Sequence, residues 1–157
     1  MSRLFFLCIF LTRLSPLISQ EVYEVEILHA DSAIMETVNG EMLKKLIRKV
    51  QLRHKTNLID CDTAIIYQNN NIDAFGHVVL RKKNTKIQGE FLQYFSNQKL
   101  AVLNRNVILT DKKAKLYTED MTYDMNSDQG YYMKGGRLVN DKTIITSQFG
   151  TYYGTNS

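Results

Sequence analysis

The 157-residue sequence contains little proline, little cysteine and little net charge. Its only proline is Pro16, so residues 17–157 contain no proline that would remove a backbone donor from a hydrogen-bonded strand or helix. The formal charge of +4 is too small for the basic stripe of a protein that binds nucleic-acid phosphates, and we predict no nucleic-acid partner. The apolar fraction of 44% excludes a disordered tail and fits one domain with a core.

The first nineteen residues have the pattern of a secretory signal peptide. A positive start at Arg3 precedes an unbroken apolar run from Leu4 to Leu11, and Ser19 is a small residue before the expected cut. The run is far shorter than the roughly 20 residues that cross a bilayer. We predict a signal peptide over residues 1–19 and a mature domain over 20–157; a buried strand or an uncleaved anchor are the alternatives.

Removal of this segment would leave one cysteine and lower the net charge to +2. Cys8 would be lost with the signal, so the mature chain could form no internal disulfide. A lone cysteine in such a domain is typically a small buried apolar residue, and we expect this of Cys61.

The mature region repeats a short motif five times, at spacings of 28 to 31 residues. The motif is Leu or Ile, any residue, a small residue, then an acid or amide, and it begins at Leu28, Ile59, Ile87, Leu116 and Ile145. Seven residues after these anchors lie Met35, Ile66, Tyr94, Tyr123 and Tyr152. Asn-centred turns follow, and each full repeat ends on a basic turn, as in Arg81-Lys82-Lys83 and Lys112-Lys113.

Such a unit is an up-and-back pair of strands with one apolar face, which neighbouring units must cover. The sequence therefore predicts an all-β, solenoid-like sheet of stacked antiparallel strand pairs. One stretch, Glu41–Lys49, has apolar residues at helical spacing. Its phase in the repeat nevertheless predicts a strand, because tertiary context overrides local propensity.

The pattern of apolar-x-small-acid, Tyr, Asn turn and Gly-x-Val-x-Leu resembles the OstA-like (organic solvent tolerance, LptA-type) β-jellyroll proteins of lipopolysaccharide transport. The resemblance covers roughly residues 22–157 and is clearest over Ile59–Leu80, which ends in Gly76-His77-Val78-Val79-Leu80. Asn104 stands where the family prefers glycine, and the fourth unit has Gly135-Gly136-Arg137-Leu138 in place of Gly-Asn-Val.

The resemblance implies an open, twisted β-jellyroll of V-shaped strand pairs whose apolar trough holds lipid acyl chains. It implies a non-enzymatic periplasmic protein, with outer-membrane association as a further location, that relays lipopolysaccharide toward the outer membrane. Its partners would be lipopolysaccharide and either other β-jellyroll transport components or a second copy, joined by edge-strand pairing, with only indirect membrane contact. It implies no cofactor and no metal.

The candidate lipid-binding residues are the apolar side chains expected on the inner face. Simple core packing is the alternative role for each of them. They are Leu28, Val50, Leu52, Ile59, Ile66, Val78, Leu80, Ile87, Val107, Leu109, Leu116 and Leu138.

Other polar residues fit structural roles. No two histidines have metal-ligand spacing, and we expect all three to face solvent: His29, His54 and His77. The acids that recur in phase indicate a solvated face or a bend rather than a catalytic pair: Asp31, Asp62, Glu90 and Glu119. The basic turns are expected to be solubilising, with contact to lipid phosphates as the alternative.

Two other functions fit the repeat. A structural or adhesive β-solenoid would bind protein or glycan through outward aromatics such as Tyr117. A carbohydrate-active β-helix enzyme would need a pair of carboxylates on one repeat, but the acids are spread evenly along the repeats.

The fifth unit stops at Ser157, half-way through a repeat. We expect a fragment of a longer protein, with an edge strand over Thr146–Tyr153 as the alternative.

Overall fold

The computed structural model describes residues 24–112 and 114–154, which form a 12-stranded antiparallel sheet. The predicted signal peptide lies outside these residues. No helix long and apolar enough to cross a membrane is found in the described part. The strands are β1 Glu26–His29, β2 Ser32–Val38, β3 Glu41–His54, β4 Asn57–Ile66, β5 Ile72–Lys82, β6 Thr85–Phe95, β7 Leu100–Asp111, β8 Ala114–Asp124, β9 Gln129–Tyr132, β10 Gly136–Val139, β11 Ile144–Ser147 and β12 Gly150–Tyr153.

The sheet is open, and consecutive strands from β3 to β8 are neighbours. Near each end of the chain a strand is split in two: β1 and β2 both pair with β3, and β9 and β10 both pair with β8. The strand at the far side of the sheet is split in the same way: β11 pairs with β10, and β12 pairs with β9. This confirms the predicted all-β fold, including the strand over Glu41–Lys49, where helical spacing was misleading.

Every strand pairing from β3 to β8 contains a register shift near its middle. Alternate strands place two successive residues in the left-handed region there: Arg48 and Lys49, Gly76 and His77, Arg105 and Asn106. Bulges of this kind bend a strand and increase its twist, so each strand becomes a V. The bends divide the sheet into two arms that face each other.

The first arm lies beside the basic turns and contains residues 50–54, 57–61, 78–82, 85–89, 107–111 and 114–118, with β1, β10 and β11. The second arm lies beside the Asn turns and contains residues 41–47, 63–66, 72–75, 91–95, 100–104 and 120–124, with β2, β9 and β12. Buried apolar side chains from both arms form one core cluster between them.

Two of the four acids that recur in the sequence, Asp62 and Glu90, form hydrogen bonds at these bends. Oδ2 of Asp62 lies 2.7 Å from Nδ1 of His77, and the Asn106 amide donates a 2.7 Å hydrogen bond to Glu90. Gly76 has a φ of +72°, and a Cβ atom there would lie 3.0 Å from Cγ of Asp62, so this position requires glycine. A role at a bend, rather than catalysis, accounts for the repeated carboxylate.

Candidate functional site

The concave interior between the arms is an apolar furrow, and it contains most of the predicted lipid-binding residues. Ten of the twelve are at most 5% exposed: Val50, Leu52, Ile59, Ile66, Val78, Leu80, Ile87, Val107, Leu109 and Leu116. Strand alternation places each of them on the inner side of its arm. Their position agrees with the sequence analysis, while lipid contact stays a prediction.

Leu28 is not buried in this interior. A β-bulge makes Leu28 the unpaired residue of β1, between Ile27, which is opposite Leu52, and His29. Residues directly opposite each other share a face, so Ile27 lies on the inner side, but both Ile27 and Leu28 are exposed, at 41% and 39%. Leu138 does lie on the inner side, opposite Leu116, but it is only partly buried against the core.

The sequence analysis missed most of the second arm's contribution to the furrow. Its buried inner residues include Leu46, Ala64, Ile72, Ala74, Leu92, Ala101, Leu103 and Met121. These residues alternate with more exposed ones along their strands, and this period of two was the signal that could have found them. The small alanines of the second arm leave room for the large side chains of the first.

The furrow is filled by its own side chains along its middle. Leu80 and Ile87 of the first arm and Leu92 and Leu103 of the second are at most 1% exposed. The furrow is therefore closed to solvent in the middle of the sheet. The outer strands differ: the inner-side residues Met35 and Ile145 are 59% and 54% exposed, so apolar interior reaches solvent at both outer strands.

The two arms meet along a seam, where the basic turns of the first arm face the Asn turns of the second. Tyrosines from the second arm cross this seam with their hydroxyl groups. The hydroxyl of Tyr94 lies 2.7 Å from Nδ1 of His54 and accepts a 3.2 Å hydrogen bond from Asn57. The hydroxyl of Tyr152 donates a 2.8 Å hydrogen bond to Asp111.

A third bridge lies between these two. The side chain of Thr85 in the first arm is hydrogen-bonded to Tyr123, whose hydroxyl also donates to Asp128 at 3.3 Å. The ammonium group of Lys82 donates to Asp128 and to the carbonyl of Met125. Each of the three first-arm turns, β3 to β4, β5 to β6 and β7 to β8, therefore has a polar connection across the seam.

The bridges follow the sequence repeat on both sides. Tyr94, Tyr123 and Tyr152 are 29 residues apart. On the first arm, each bridge contains a residue at the end of a strand, and these residues are 28 and 29 apart: His54, Lys82 and Asp111. His54 is 4% exposed, so the expectation that it faces solvent was wrong. Lys82 was assigned to a solubilising turn, but its side chain is only 14% exposed.

Burial keeps the tyrosine hydroxyls protonated. It raises the pKa of Tyr94 above its usual value and that of Tyr123 to about 12. Burial and the nearby Asp111 carboxylate also raise the pKa of Tyr152. All three phenols therefore stay neutral hydrogen-bonding groups near neutral pH, and they hold the seam without placing a charge inside the furrow.

The outer side of the bend carries two open grooves. One has a volume of about 780 Å³ and is lined by Phe75, Val79, Phe91 and Ile108. The other, of about 500 Å³, contains Tyr117, which is exposed as expected. Within residues 24–112 and 114–154, no group of three or more His, Cys, Asp or Glu residues could hold a metal ion.

Residues 23–157 match the model of a protein family described as OstA-like protein. The chain belongs to the OstA-like family. This confirms the resemblance stated from the repeat and the expectation of a non-enzymatic protein, because the OstA-like family consists of transport proteins rather than enzymes. No curated protein matches the chain.

The fold of this OstA-like chain is also similar to that of a solved structure. That structure is the crystal structure of LptH, the LptA homologous periplasmic component of the conserved lipopolysaccharide transport device from Pseudomonas aeruginosa. The two sequences are 20% identical, and the match covers 65% of this chain and 76% of the other, with a TM-score of 0.58. The likeness shows a shared fold and confirms the jellyroll predicted for an OstA-like chain.

Proposed function

We propose that this protein is a periplasmic carrier that binds the acyl chains of lipopolysaccharide in its furrow and relays the lipid toward the outer membrane. The apolar furrow between the two arms is the observation that carries this proposal. Membership of the OstA-like family and a fold similar to that of a periplasmic component of lipopolysaccharide transport support it.

The chemistry of the furrow suits an acyl chain. The buried polar side chains of residues 24–112 and 114–154 are His54, Asn57, Ser96, Asp111 and Thr118. The first four lie at strand ends or in turns, and Thr118 lies near a bend. The middle of the furrow therefore presents apolar atoms alone, as required for favourable contact with a hydrocarbon chain.

Lipid binding requires that the filled furrow open, and the seam is where it opens. Strand pairing holds residues of one arm together, whereas side-chain bridges connect the two arms. A hydrogen bond contributes about 1 kcal/mol net, so breaking the bridges costs a few kcal/mol. The acyl chain offsets the larger cost of separating the apolar faces, since it replaces the contacts that each arm loses.

The outer strands supply the surfaces for relay. Within the described part of the chain, β1 and β2 lie at one side of the sheet, and β11 and β12 at the other. An unpaired strand edge can accept another strand, and we expect it to pair with a second copy or with another β-jellyroll component. Such pairing would join two furrows end to end where Met35 and Ile145 expose the interior.

Photo-crosslinking tests the furrow directly. A photoreactive amino acid at Val78 or Ile87, which face inward, should capture the lipid A part of lipopolysaccharide. The same group at Val79 or Gln88, which are their outward-facing neighbours, should capture little. Capture at outward positions alone, or at none of the inward positions of a folded protein, would contradict lipid binding in the furrow.

A second candidate function is binding of protein or glycan on the outer surface. The groove of about 780 Å³ and the exposed ring of Tyr117 favour it, because aromatic side chains in open grooves are frequent contact residues. Replacing Phe75 and Tyr117 by alanine should abolish such binding and leave lipid crosslinking at Val78 unchanged. Loss of lipid capture in this variant would instead place the lipid outside the furrow.

A further inference from the structure

Lysine occupies strained turn positions on one side of the seam. Lys55, Lys83 and Lys112 are all exposed and have φ values of +56°, +49° and +47°. This left-handed region favours Gly, Asn and Asp, and it is unfavourable for a side chain such as lysine. In the facing row of turns, the left-handed residues are instead mainly of the favoured types: Asn39, Gly40, Asn70, Lys99 and Asp128.

These lysines form a line along the edge of the first arm. Their turns connect β3 to β4, β5 to β6 and β7 to β8, and Lys142 lies in the turn from β10 to β11. Successive turns are two strands apart, or about 10 Å, so the line is roughly 30 Å long. We call Lys55, Lys83, Lys112 and Lys142 the basic ridge.

The outer face of the first arm adds further cations next to the ridge. Arg81 is directly opposite Lys86, and Lys115 is two strands farther along the same row. Like charges opposite each other destabilise a sheet, and here Asp60 pairs with Arg81 only. Neither Lys86 nor Lys115 forms an ion pair with any described residue.

The outer face of the second arm has the opposite sign. Asp73, Asp120 and Asp124 lie on this face. Lys45 of β3 is a cation on the same face. The small net charge of +4 therefore conceals a separation of positive and negative residues onto different faces. A concentrated positive edge attracts anionic surfaces even when the whole chain is nearly neutral.

We propose that the basic ridge binds an anionic bilayer surface. The ridge is linear and has one cation about every 10 Å, a spacing that fits a plane of headgroups better than one small anion. Lysine acts as a flexible point charge and suits such a surface. Because the ridge is the first-arm edge of the seam, docking holds the seam at the level of the headgroups.

This proposal does not depend on lipid inside the furrow, so it can be tested separately. Folded protein is sedimented with vesicles of phosphatidylcholine alone and of phosphatidylcholine mixed with phosphatidylglycerol, at increasing salt. We expect binding to the mixed vesicles only, weakening as salt screens the charges.

The decisive variant combines Lys83→Gln, Lys86→Gln and Lys115→Gln. Each cation near an anionic surface strengthens binding roughly fivefold, so the triple variant should bind on the order of 100-fold more weakly. The matched control combines Lys45→Gln, Lys99→Gln and Lys134→Gln, which removes the same charge elsewhere and should change binding little. Arginine at the same three positions, one in the ridge and two beside it, should preserve binding, and urea unfolding checks that every variant is folded.

Several results would overturn the proposal. Absence of binding of the wild-type protein to the mixed vesicles would do so, as would an equal loss in the control variant. If the ridge variant changed only self-association in sedimentation velocity, the ridge would be a contact between copies of this chain. If it changed only binding to a soluble polyanion such as heparin, the partner would be a polyanion instead of a bilayer.

Discussion

The hydroxyl group of Tyr94 is the best single atom at which to test the seam. It lies 2.7 Å from Nδ1 of His54 and accepts a 3.2 Å hydrogen bond from the Asn57 amide. All three side chains are buried, and Oδ1 of Asn57 has no hydrogen-bond partner among the described residues. Tyr94→Phe removes the hydroxyl and keeps the ring that packs in the furrow, so the variant isolates the bridge.

The expected cost follows from the groups left behind. A buried polar group that loses its partner costs about 1–3 kcal/mol. Both His54 and Asn57 lose a partner, although His54 retains another interaction. We therefore expect the free energy of unfolding to fall by about 2 kcal/mol, which lowers the midpoint of thermal unfolding by roughly 8 °C in a domain of this size.

Urea unfolding followed by circular dichroism measures this change. Tyr117→Phe is the matched control, since the Tyr117 side chain is on the outer face and its hydroxyl makes no hydrogen bond within the described part of the chain. It should change stability by less than about 0.5 kcal/mol. If Tyr94→Phe lowered the free energy of unfolding by no more than this control does, the hydroxyl would not hold the seam and the reasoning would be refuted.

Three further predictions concern the bend and the core. Gly76→Ala should cost about 1–3 kcal/mol in urea unfolding, because its φ is +72° and its Cβ would press on Asp62; Gly40→Ala, with φ +85° and open space around it, should cost less. Burial raises the pKa of Cys61 to about 12, so its thiol should resist maleimide at pH 8 until the protein unfolds, as followed by mass spectrometry. The Asp62 carboxylate raises the pKa of His77, so their contact stabilises the fold below the usual histidine pKa of about 6.5 and is lost as pH rises through the higher folded value. Asp62→Asn should return the His77 titration, measured by NMR, to its ordinary range, and an unchanged titration would contradict the contact.

The repeat predicted this fold better than local propensity did. Glu41–Lys49 has the apolar spacing of a helix but forms part of β3, because pairing with β2 and β4 satisfies its backbone on both sides. A structural role was expected for the in-phase acids, yet the sequence did not reveal that Asp62 and Glu90 bond to the bulge of the following strand. That contact depends on which strands are neighbours.

The residues that line the furrow were only partly predictable from the sequence. The inner positions of the first arm follow directly from alternation around the anchors, as with Ile59 and Ile87. Leu28 is exposed in a strand interrupted by a bulge, and a bulge has no reliable signature in a single sequence.

The amino-acid sequence by itself determined the length of the repeat, the strands and turns within it, and the apolar face that neighbouring units must cover. Only the tertiary structure decided that His54 meets Tyr94 and that Asp111 meets Tyr152, pairs that are 40 and 41 residues apart. The physical reason is the bend: each bulge folds a strand back so that the end of one rung faces the turn of another. Periodicity records the spacing of residues along the chain, whereas contact across the seam depends on the angle and register of every bend between them.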